Sequence, residues 1–210
     1  MKRIITPAVL LILPLQAIAT TIPFINELHY DNDGADVGEG VEIAGPAGIV
    51  LDGWSLMFYN GNTGSVYATT ALAGTITDQA DGYGTVFFET GALQNGAPDG
   101  MALVDDGGDV LQFLSYEGVF QALDGAAAGS TSLGIGLSES SDTPVGWSLQ
   151  LAGSGRTYSD FFWSSGVNSY DAINSEQSFA VVPLPATLPL LLCALAGLLT
   201  RRTMNMNDNG

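Results

Sequence analysis

The sequence predicts an all-β fold, and three observations indicate it. Between two apolar ends, apolar and polar residues alternate with a period of two, as in half-buried strands, and no helical stripe of useful length occurs. Aromatic and β-branched residues, which favour strands, are concentrated in the alternating runs. Glycine and aspartate clusters separate these runs and supply the residues that tight turns need. Several short strands separated by such turns favour a β-sandwich.

Eight strands are predicted along the chain, and each ends at a turn-rich segment. They lie at residues 23–30, 41–44, 54–59, 65–72, 84–89, 101–104, 110–116 and 147–152. Trp54 and Trp147 fall on the apolar side of their strands, so we expect both indoles to be buried rather than to form a sugar-stacking platform with Trp163. The composition also predicts a long surface loop at residues 125–144 and a linker at residues 166–180.

The amino-terminal end has the three parts of a signal peptide. Lys2 and Arg3 form a basic n-region, residues 4–15 form an apolar h-region, and Ala17 and Ala19 form a small-x-small cleavage site. The first 19 residues are therefore predicted to be removed by signal peptidase, and the rest of the chain is predicted to be exported.

The carboxyl-terminal end predicts one membrane-spanning helix. Residues 181–199 carry no charge and, at about 1.5 Å per residue, give roughly 28 Å of helix, close to a hydrocarbon thickness of about 30 Å. Arg201 and Arg202 follow directly and are expected to stay in the cytoplasm, with residues 203–210 as a cytoplasmic tail. The chain before residue 181 is thereby placed outside the cytoplasm. A buried core helix is the less favoured alternative for the same apolar run.

The same end carries a proline motif, formed by Val182, Pro183, Leu184, Pro185 and Ala186. A proline motif, an apolar segment and a basic pair, in this order, resemble the PEP-CTERM sorting signal of Gram-negative bacteria in its VPLPA variant, over residues 181–202. The resemblance implies a single-pass inner-membrane precursor that an exosortase cleaves near the motif. It therefore predicts a mature protein at the cell surface or outside the cell.

The chain has a formal net charge of −17 at pH 7, and its charges are unevenly distributed. Four of its five basic residues lie in the two end segments, and Arg156 is the one between them. A polyanion gains nothing from counterion release on meeting another polyanion, so direct nucleic-acid binding is not expected. Divalent cations are the expected partners of such a surface. Cys193, the only cysteine, lies in the predicted span, so the exported part has no disulfide and no thiolate site.

A second resemblance concerns the predicted β domain. Residues 24–32 (FINELHYDN), 40–43 (GVEI) and 51–56 (LDGWSL) resemble the opening strands of the lamin tail domain. The family implies an immunoglobulin-like β-sandwich over residues 20–165 and an adhesive or positioning role, with no catalytic residues to transfer. In bacteria such modules often precede extracellular nucleases or phosphatases, which keeps the role of an accessory module open.

The best candidate site is an acidic loop after the first predicted strand. Within nine residues it combines two glycines with four carboxylates and one amide, which belong to Asp31, Asn32, Asp33, Asp36 and Glu39. Hard oxygen ligands on a tightly curved loop suit Ca²⁺, which takes about six to eight oxygens. The spacing differs from that of an EF-hand loop, and a solvated turn between strands is the other interpretation.

The remaining titratable features are predicted to be structural. The aspartates of residues 105–109 favour a hairpin turn over a binding site. Glu27 and Glu42 lie in predicted strands and are expected to be exposed or hydrogen-bonded at the rim of a sheet. His29, the only histidine, is expected at an edge or rim, because no general-base arrangement is recognisable around it.

Together these features predict an exported, non-enzymatic adhesion or scaffold protein of the cell surface or biofilm matrix. Exopolysaccharide or a surface protein is the expected partner, with Ca²⁺ as a candidate bridge for the acidic surface. No catalytic or cofactor-binding residue is predicted. The alternatives are an accessory module for an extracellular nuclease or phosphatase, a weak metal-dependent hydrolase, and a surface-layer subunit that self-associates at high calcium.

Overall fold

The computed structural model describes residues 22–91 and 93–180. The predicted signal peptide, the sorting signal at residues 181–202 and the tail at residues 203–210 lie outside the described residues. Within the described ranges, no helix is long and apolar enough to cross a membrane.

Eleven β-strands and one short 3-10 helix form in the described residues. The strands are β1 (Phe24–His29), β2 (Gly40–Pro46), β3 (Ser55–Asn60), β4 (Ser65–Ala71), β5 (Tyr83–Glu89), β6 (Asp99–Val104), β7 (Val110–Tyr116), β8 (Leu133–Gly134), β9 (Trp147–Gly155), β10 (Phe161–Val167) and β11 (Gln177–Phe179). The 3-10 helix, Tyr158–Asp160, lies between β9 and β10. The prediction that the exported region is all-β is thereby confirmed for the described residues.

The strands form two sheets that share one core. The first sheet has the order β10-β9-β1-β2-β5, with β11 also pairing with β9, and the second has the order β4-β3-β6-β7-β8. The main apolar cluster includes Leu28 and Leu149 from the first sheet and Leu56 and Leu103 from the second, all buried. Because one cluster takes side chains from both sheets, the sheets pack face to face, which is consistent with the predicted β-sandwich.

The outer face of the second sheet is covered by the chain that follows β7. Phe120 and Ala127, from the chain that follows β7, pack with Tyr59 and Phe113 in a second buried cluster. The Tyr59 hydroxyl accepts the Ala127 N–H at 3.1 Å.

All residues of β1 and of β6 are buried, so these two strands are buried on both faces and not on one face, as the period of two predicts.

The outer face of the first sheet is covered by residues 168–180, which we call the strap. Within it, β11 pairs in parallel with β9, and Asn174, Gln177 and Phe179 are buried. The structure thus differs from the linker expected at residues 166–180, whose first two residues belong to β10. The side-chain amides of Asn174 and Gln177 donate to Leu151 and Asn26 in the interior, which the polar composition of the segment does not reveal.

The strap ends in a small aromatic clamp. The Phe179 ring stacks on Tyr83 with 4.5 Å between the ring centroids. The guanidinium of Arg156 lies 5.2 Å from the centroid of the Tyr83 ring, within the range of a cation–π contact. Its Nε also donates to the carbonyl of Ala180. The one basic residue between the two end segments therefore holds the last described residue against the sheet.

The tryptophans are more exposed than predicted. Trp147 is 37% exposed, and Trp54 and Trp163 are half-buried. The expected burial is therefore wrong for Trp147 and only partly right for Trp54, which packs at the margin of the main core. Trp147 begins β9 and Trp54 directly precedes β3, so both lie at strand ends.

Candidate functional site

The acidic loop between β1 and β2 is organised by the side chain of Asn32. Its Nδ2 donates to the carbonyls of Asp33 and Ala35, at 3.0 and 3.1 Å. Its Oδ1 accepts the Val37 N–H at 3.0 Å. Asparagine side chains often bind nearby backbone in this way and so shape turns. The three bonds use both ends of the amide and fix its orientation.

The predicted ligands of this loop do not all face one point. Asp33 and Asp36 are exposed, Asp31 is half-buried, and Glu39 is buried. The Glu39 Oε2 accepts the Leu93 N–H at 3.2 Å, on the inner side of the loop. Burial and the neighbouring charge of Asp36 raise the pKa of Asp31. Asp31 and Asp36 are therefore the two carboxylates best placed to share a cation.

A metal ion at this pair needs further oxygen ligands. Among the residues that the structure describes, no group of three or more His, Cys, Asp or Glu side chains is arranged to hold a metal ion. The Asn32 amide is already occupied by the loop backbone. A calcium ion at Asp31 and Asp36 would therefore take its other oxygens from backbone carbonyls and water, which Ca²⁺ accepts readily.

His29 lies in the interior, so its predicted position at an edge or rim is wrong. It belongs to β1, which has a neighbouring strand on each side, and it is 1% exposed. Its Nδ1 lies 2.9 Å from Glu139 Oε1, and its Nε2 lies 3.1 Å from Asn32 Oδ1. Because the orientation of the Asn32 amide is fixed, the atom that faces Nε2 is an acceptor, and Nε2 carries a proton.

The second nitrogen of His29 faces a carboxylate. Glu139 Oε1 lies against Nδ1, and Glu139 Oε2 accepts the N–H groups of Tyr30 and Asp31, at 2.6 and 3.1 Å. A carboxylate held in this position favours the protonated form of the ring. Burial acts to lower the pKa of His29, but the hydrogen bond and the charge of Glu139 outweigh it and raise this pKa above its usual value.

Tyr30 links this ion pair to a surface cleft. Its hydroxyl accepts the Glu139 N–H at 2.7 Å and donates to Glu117 Oε1 at 3.0 Å. Its ring stacks on Tyr116 with 3.9 Å between the centroids. A cleft of about 310 Å³ opens beside Glu117 and is lined by Gly118, Val119, Gly134, Gly136, Leu137 and Ser138. One end of the domain therefore combines the acidic loop, the buried ion pair and an open cleft.

Glu27 lies beneath the strap, so the prediction of an exposed or rim position is wrong for it. Its side chain is fully buried. Oε1 accepts the Ser148 hydroxyl at 2.6 Å and the Ser169 N–H at 3.0 Å, and Oε2 accepts the Ser169 hydroxyl at 2.9 Å. Burial raises the pKa of Glu27, although these donors act against the shift.

Glu42 is buried beside Glu27, and the same correction applies to it. It accepts Asn26 Nδ2 at 2.9 Å and the Asp171 N–H at 2.7 Å. Burial raises the pKa of Glu42 to about 8. Asn26 also donates to Asn174 Oδ1 at 3.2 Å. These bonds join β1 and β2 to the strap, so the two carboxylates serve to hold the strap in place.

The second acidic cluster forms the hairpin turn that the sequence favours. It connects β6 and β7, and Asp105 Oδ1 accepts the N–H groups of Gly107 and Asp109, at 3.0 and 2.8 Å. Asp106 is exposed at the tip. This turn lies at the opposite end of β6 from Asp99, whose register partner Tyr116 stacks on Tyr30.

The sequence did not single out Glu139, Asn174 or Ser169, which hold the two buried networks together. The residues predicted for cleavage and sorting lie outside the described residues, namely Ala17, Ala19, Val182, Pro183, Leu184, Pro185, Ala186, Arg201 and Arg202. No known protein family, curated protein or solved structure matches the chain.

Proposed function

We propose that the chain is an exported, non-enzymatic protein of the cell surface or biofilm matrix that acts in adhesion or as a scaffold. Two packed sheets with covered outer faces form a scaffold that holds the exposed loops and turns. The finer assignment, an immunoglobulin-like sandwich of the lamin tail type, is part of this proposal and rests on residues 24–32, 40–43 and 51–56.

The observation that carries the proposal is the division of carboxylates between interior and surface. Glu27, Glu42 and Glu139 are buried and bound by protein donors. Most other carboxylates of the described chain are exposed on loops and turns. The ion pair found among the described side chains is the internal one between His29 and Glu139, and the Arg156 guanidinium is engaged at the strap. The surface acids therefore face solvent without counter-ions from the described part of the chain.

Such a surface attracts cations and repels other anions. Divalent cations can bridge it to an acidic polysaccharide or to an acidic surface protein, because Ca²⁺ takes oxygen ligands from both sides. The neighbouring carboxylates of Asp31 and Asp36 are the first candidate for such a bridge. Direct binding of nucleic acid remains unexpected for the same electrostatic reason.

The route to the surface is part of the proposal. Signal peptidase removes the first 19 residues, and the carboxyl-terminal apolar segment holds the precursor in the inner membrane. An exosortase then acts near Val182 to Ala186 and hands on or releases the exported domain. The support for this route is the order of the terminal sequence features.

A second candidate function is an accessory module for an extracellular nuclease or phosphatase, or a weak metal-dependent hydrolase. The cleft beside Glu117 favours it, because about 310 Å³ is within the usual size range of small-ligand sites. Purified domain incubated with DNA, phosphodiesters and polysaccharides in Ca²⁺ or Mg²⁺ tests it. Turnover that Glu117→Gln or Asp36→Asn abolishes would favour this candidate over adhesion.

Cosedimentation with matrix polysaccharide tests the adhesive function directly. The domain at residues 20–182 is mixed with polysaccharide from the extracellular matrix, in millimolar calcium or in EDTA. We expect the domain to pellet in calcium and to stay in solution in EDTA. The double variant Asp31→Asn with Asp36→Asn should lose most of this binding. Asp106→Asn, in the distant β6–β7 turn, is the control for loss of surface charge alone.

Two outcomes would count against the proposal. A domain that neither pellets with the polysaccharide nor retains cells on a coated surface has no adhesive activity toward these partners. Equal loss of binding in the loop variant and in the Asp106→Asn control would assign the effect to overall charge and remove the acidic loop from the mechanism.

A further inference from the structure

Among the described residues, no strand pairs with the outer edge of β10. β10 and β5 end the main path of the first sheet, to which the three-residue β11 is added beside β9, and β4 and β8 are the edges of the second sheet. An edge strand presents a row of N–H and C=O groups that can pair with another chain. β10 is seven residues long and carries no charge and no proline, so it has none of the usual features that discourage such pairing.

The register of β10 shows which of its backbone groups face outward. Gly153 of β9 is the partner of Phe161, yet it donates its N–H to the Glu176 carbonyl, away from β10. Hydrogen-bonded and non-hydrogen-bonded pairs alternate along an antiparallel ladder. Trp163 and Ser165 therefore occupy non-hydrogen-bonded positions toward β9, and their N–H and C=O groups point to the open side.

Two of the other edges are capped by carboxylates. The Phe87 N–H of β5 donates to Asp171 Oδ1 at 2.8 Å. The Val66 N–H of β4 donates to Asp124 Oδ1 at 2.7 Å. β8 has only two residues, and short edge strands offer little to pair with. The outward groups in the middle of β10 have no such cap among the described residues.

We propose that β10 pairs in antiparallel fashion with β10 of a second copy of this chain, around a two-fold axis at Ser164. Trp163 then lies opposite Ser165 of the second copy, and both residues present the outward groups that form a hydrogen-bonded pair. The two-fold axis repeats this pair, as an isologous contact requires. The first sheets of the two copies become one continuous sheet.

The side chains of β10 fit this register. Phe162 is 62% exposed and lies opposite Gly166 of the second copy, where its ring can cover a residue without a side chain. Val167 is 66% exposed and lies opposite Phe161 of the second copy. Pairing therefore covers two large apolar side chains that the single copy leaves in water.

Charge explains why a second copy can occupy this edge despite the acidity of the chain. The chain carries a net charge of −17, so most contacts between two copies would set carboxylates against one another. Residues 161–170 carry no acid, and the nearest are Asp160 and Asp171. In the proposed register Asp160 lies opposite Asn168 of the second copy, so no carboxylate directly faces another.

Site-specific crosslinking of the full chain tests the register. In a Cys193→Ala background, Ser164→Cys places two thiols across the axis in a non-hydrogen-bonded pair. The Cα atoms of such a pair are about 4.5 Å apart, within the range of about 4.4–6.8 Å that disulfides require. We expect mild oxidation to give a disulfide dimer. Thr69→Cys, exposed on the β4 edge, is the matched control and should stay monomeric.

A charge exchange at the same position separates loss of pairing from loss of folding. Ser164→Asp and Ser164→Lys each place like charges opposite one another and should weaken the dimer by roughly fivefold or more. Mixing the two variants should restore it, which a misfolded variant could not do. Because the domain is acidic overall, added salt should strengthen the wild-type dimer by screening the remaining repulsion.

These measurements are made in EDTA, so that calcium-bridged adhesion does not affect them. A wild-type chain that stays monomeric at high concentration and high salt would overturn the β10 pairing and leave the adhesive proposal intact. Equal crosslinking of Ser164→Cys and Thr69→Cys would overturn it as well, and so would a mixture of the two charge variants that remains monomeric.

Discussion

His29 Nδ1 lies 2.9 Å from Glu139 Oε1, and each side chain is 1% exposed. The pair connects β1 to a loop 110 residues later in the chain. On the other side of the ring, Nε2 donates to Asn32, which shapes the acidic loop. One buried histidine therefore joins a central strand to two loops, and the stability of this end of the domain depends on it.

Removal of His29 should destabilise the domain strongly. His29→Gln leaves the Glu139 carboxylate buried without its counter-ion, and breaking a buried pair in this way typically costs about 3–5 kcal/mol. Urea denaturation measures the change in the free energy of unfolding. The double variant with Glu139→Gln should recover part of the loss, because no uncompensated charge then remains. A loss below about 1 kcal/mol for the single variant would contradict the buried ion pair.

Stability should fall as the pH rises from about 4.5 to about 8. Glu42 has a usual pKa of 4.5 and a folded pKa of about 8, so in this window the folded state holds a proton that the unfolded state has lost. The raised pKa of His29 acts in the same direction, because its contribution is full below about 6.5 and is lost as the pH rises through its folded pKa.

The Glu42→Gln variant isolates the carboxyl part of this pH dependence. One group contributes a slope of at most about 1.4 kcal/mol per pH unit, and the variant should remove that part of the slope. Denaturation curves at a series of pH values measure it. Glu89→Gln, exposed in β5, is the control and should leave the slope unchanged. An identical slope in wild type and Glu42→Gln would show that Glu42 titrates normally in the folded domain.

Calcium should raise the melting temperature of the domain. A ligand at a hundred times its dissociation constant stabilises the folded state by about 2.7 kcal/mol, which is several degrees for a domain of this size. The rise should be lost in Asp31→Ala and in Asp36→Ala, and retained in Asp106→Ala. Melting curves in EDTA and in millimolar calcium decide this. No rise in wild type would leave the acidic loop as a solvated turn.

Weakening the contacts of the strap should make residues 168–180 accessible to protease. Phe179→Ala removes a ring that is buried against Tyr83 and Phe161, and such truncations typically cost about 3–5 kcal/mol. The exposed neighbour Ser178→Ala is the control. Limited proteolysis should cleave within residues 168–180 of Phe179→Ala first. Cleavage at equal rates in both variants would indicate that these residues behave as the linker expected from composition.

The sequence predicts the strands well where the signal is local. The eight predicted strands all correspond to observed ones, since alternation and turn residues are properties of neighbouring positions. β8, β10 and β11 are missing from the prediction. β8 and β11 are only two and three residues long, but the aromatic run from Phe161 to Trp163 provides a signal for β10. The hairpin turn at residues 105–109 follows from its glycines and aspartates in the same way.

The buried polar groups could not be predicted in the same manner. Glu27 and Asn174 are typical surface residues by composition, and they are buried because they bind partners far away in the chain. Glu139 lies in a segment rich in glycine and serine that reads as a solvated loop. Its burial depends on His29 and Tyr30, more than a hundred residues earlier. Such placement follows from the tertiary fold and leaves no local pattern.

The clamp on Ala180 limits how far the domain can lie from a membrane that holds the carboxyl-terminal apolar run. Arg156 fixes Ala180 to the sheet, and the apolar run predicted to cross the membrane begins at the next residue. One residue spans at most about 3.6 Å. If this run lies in the bilayer, no spacer separates the domain from the membrane, and the domain lies close to the lipid headgroups. A domain this acidic is repelled by anionic lipid at that distance. Proteolytic cleavage would therefore remove this electrostatic repulsion and let the domain diffuse away from the bilayer.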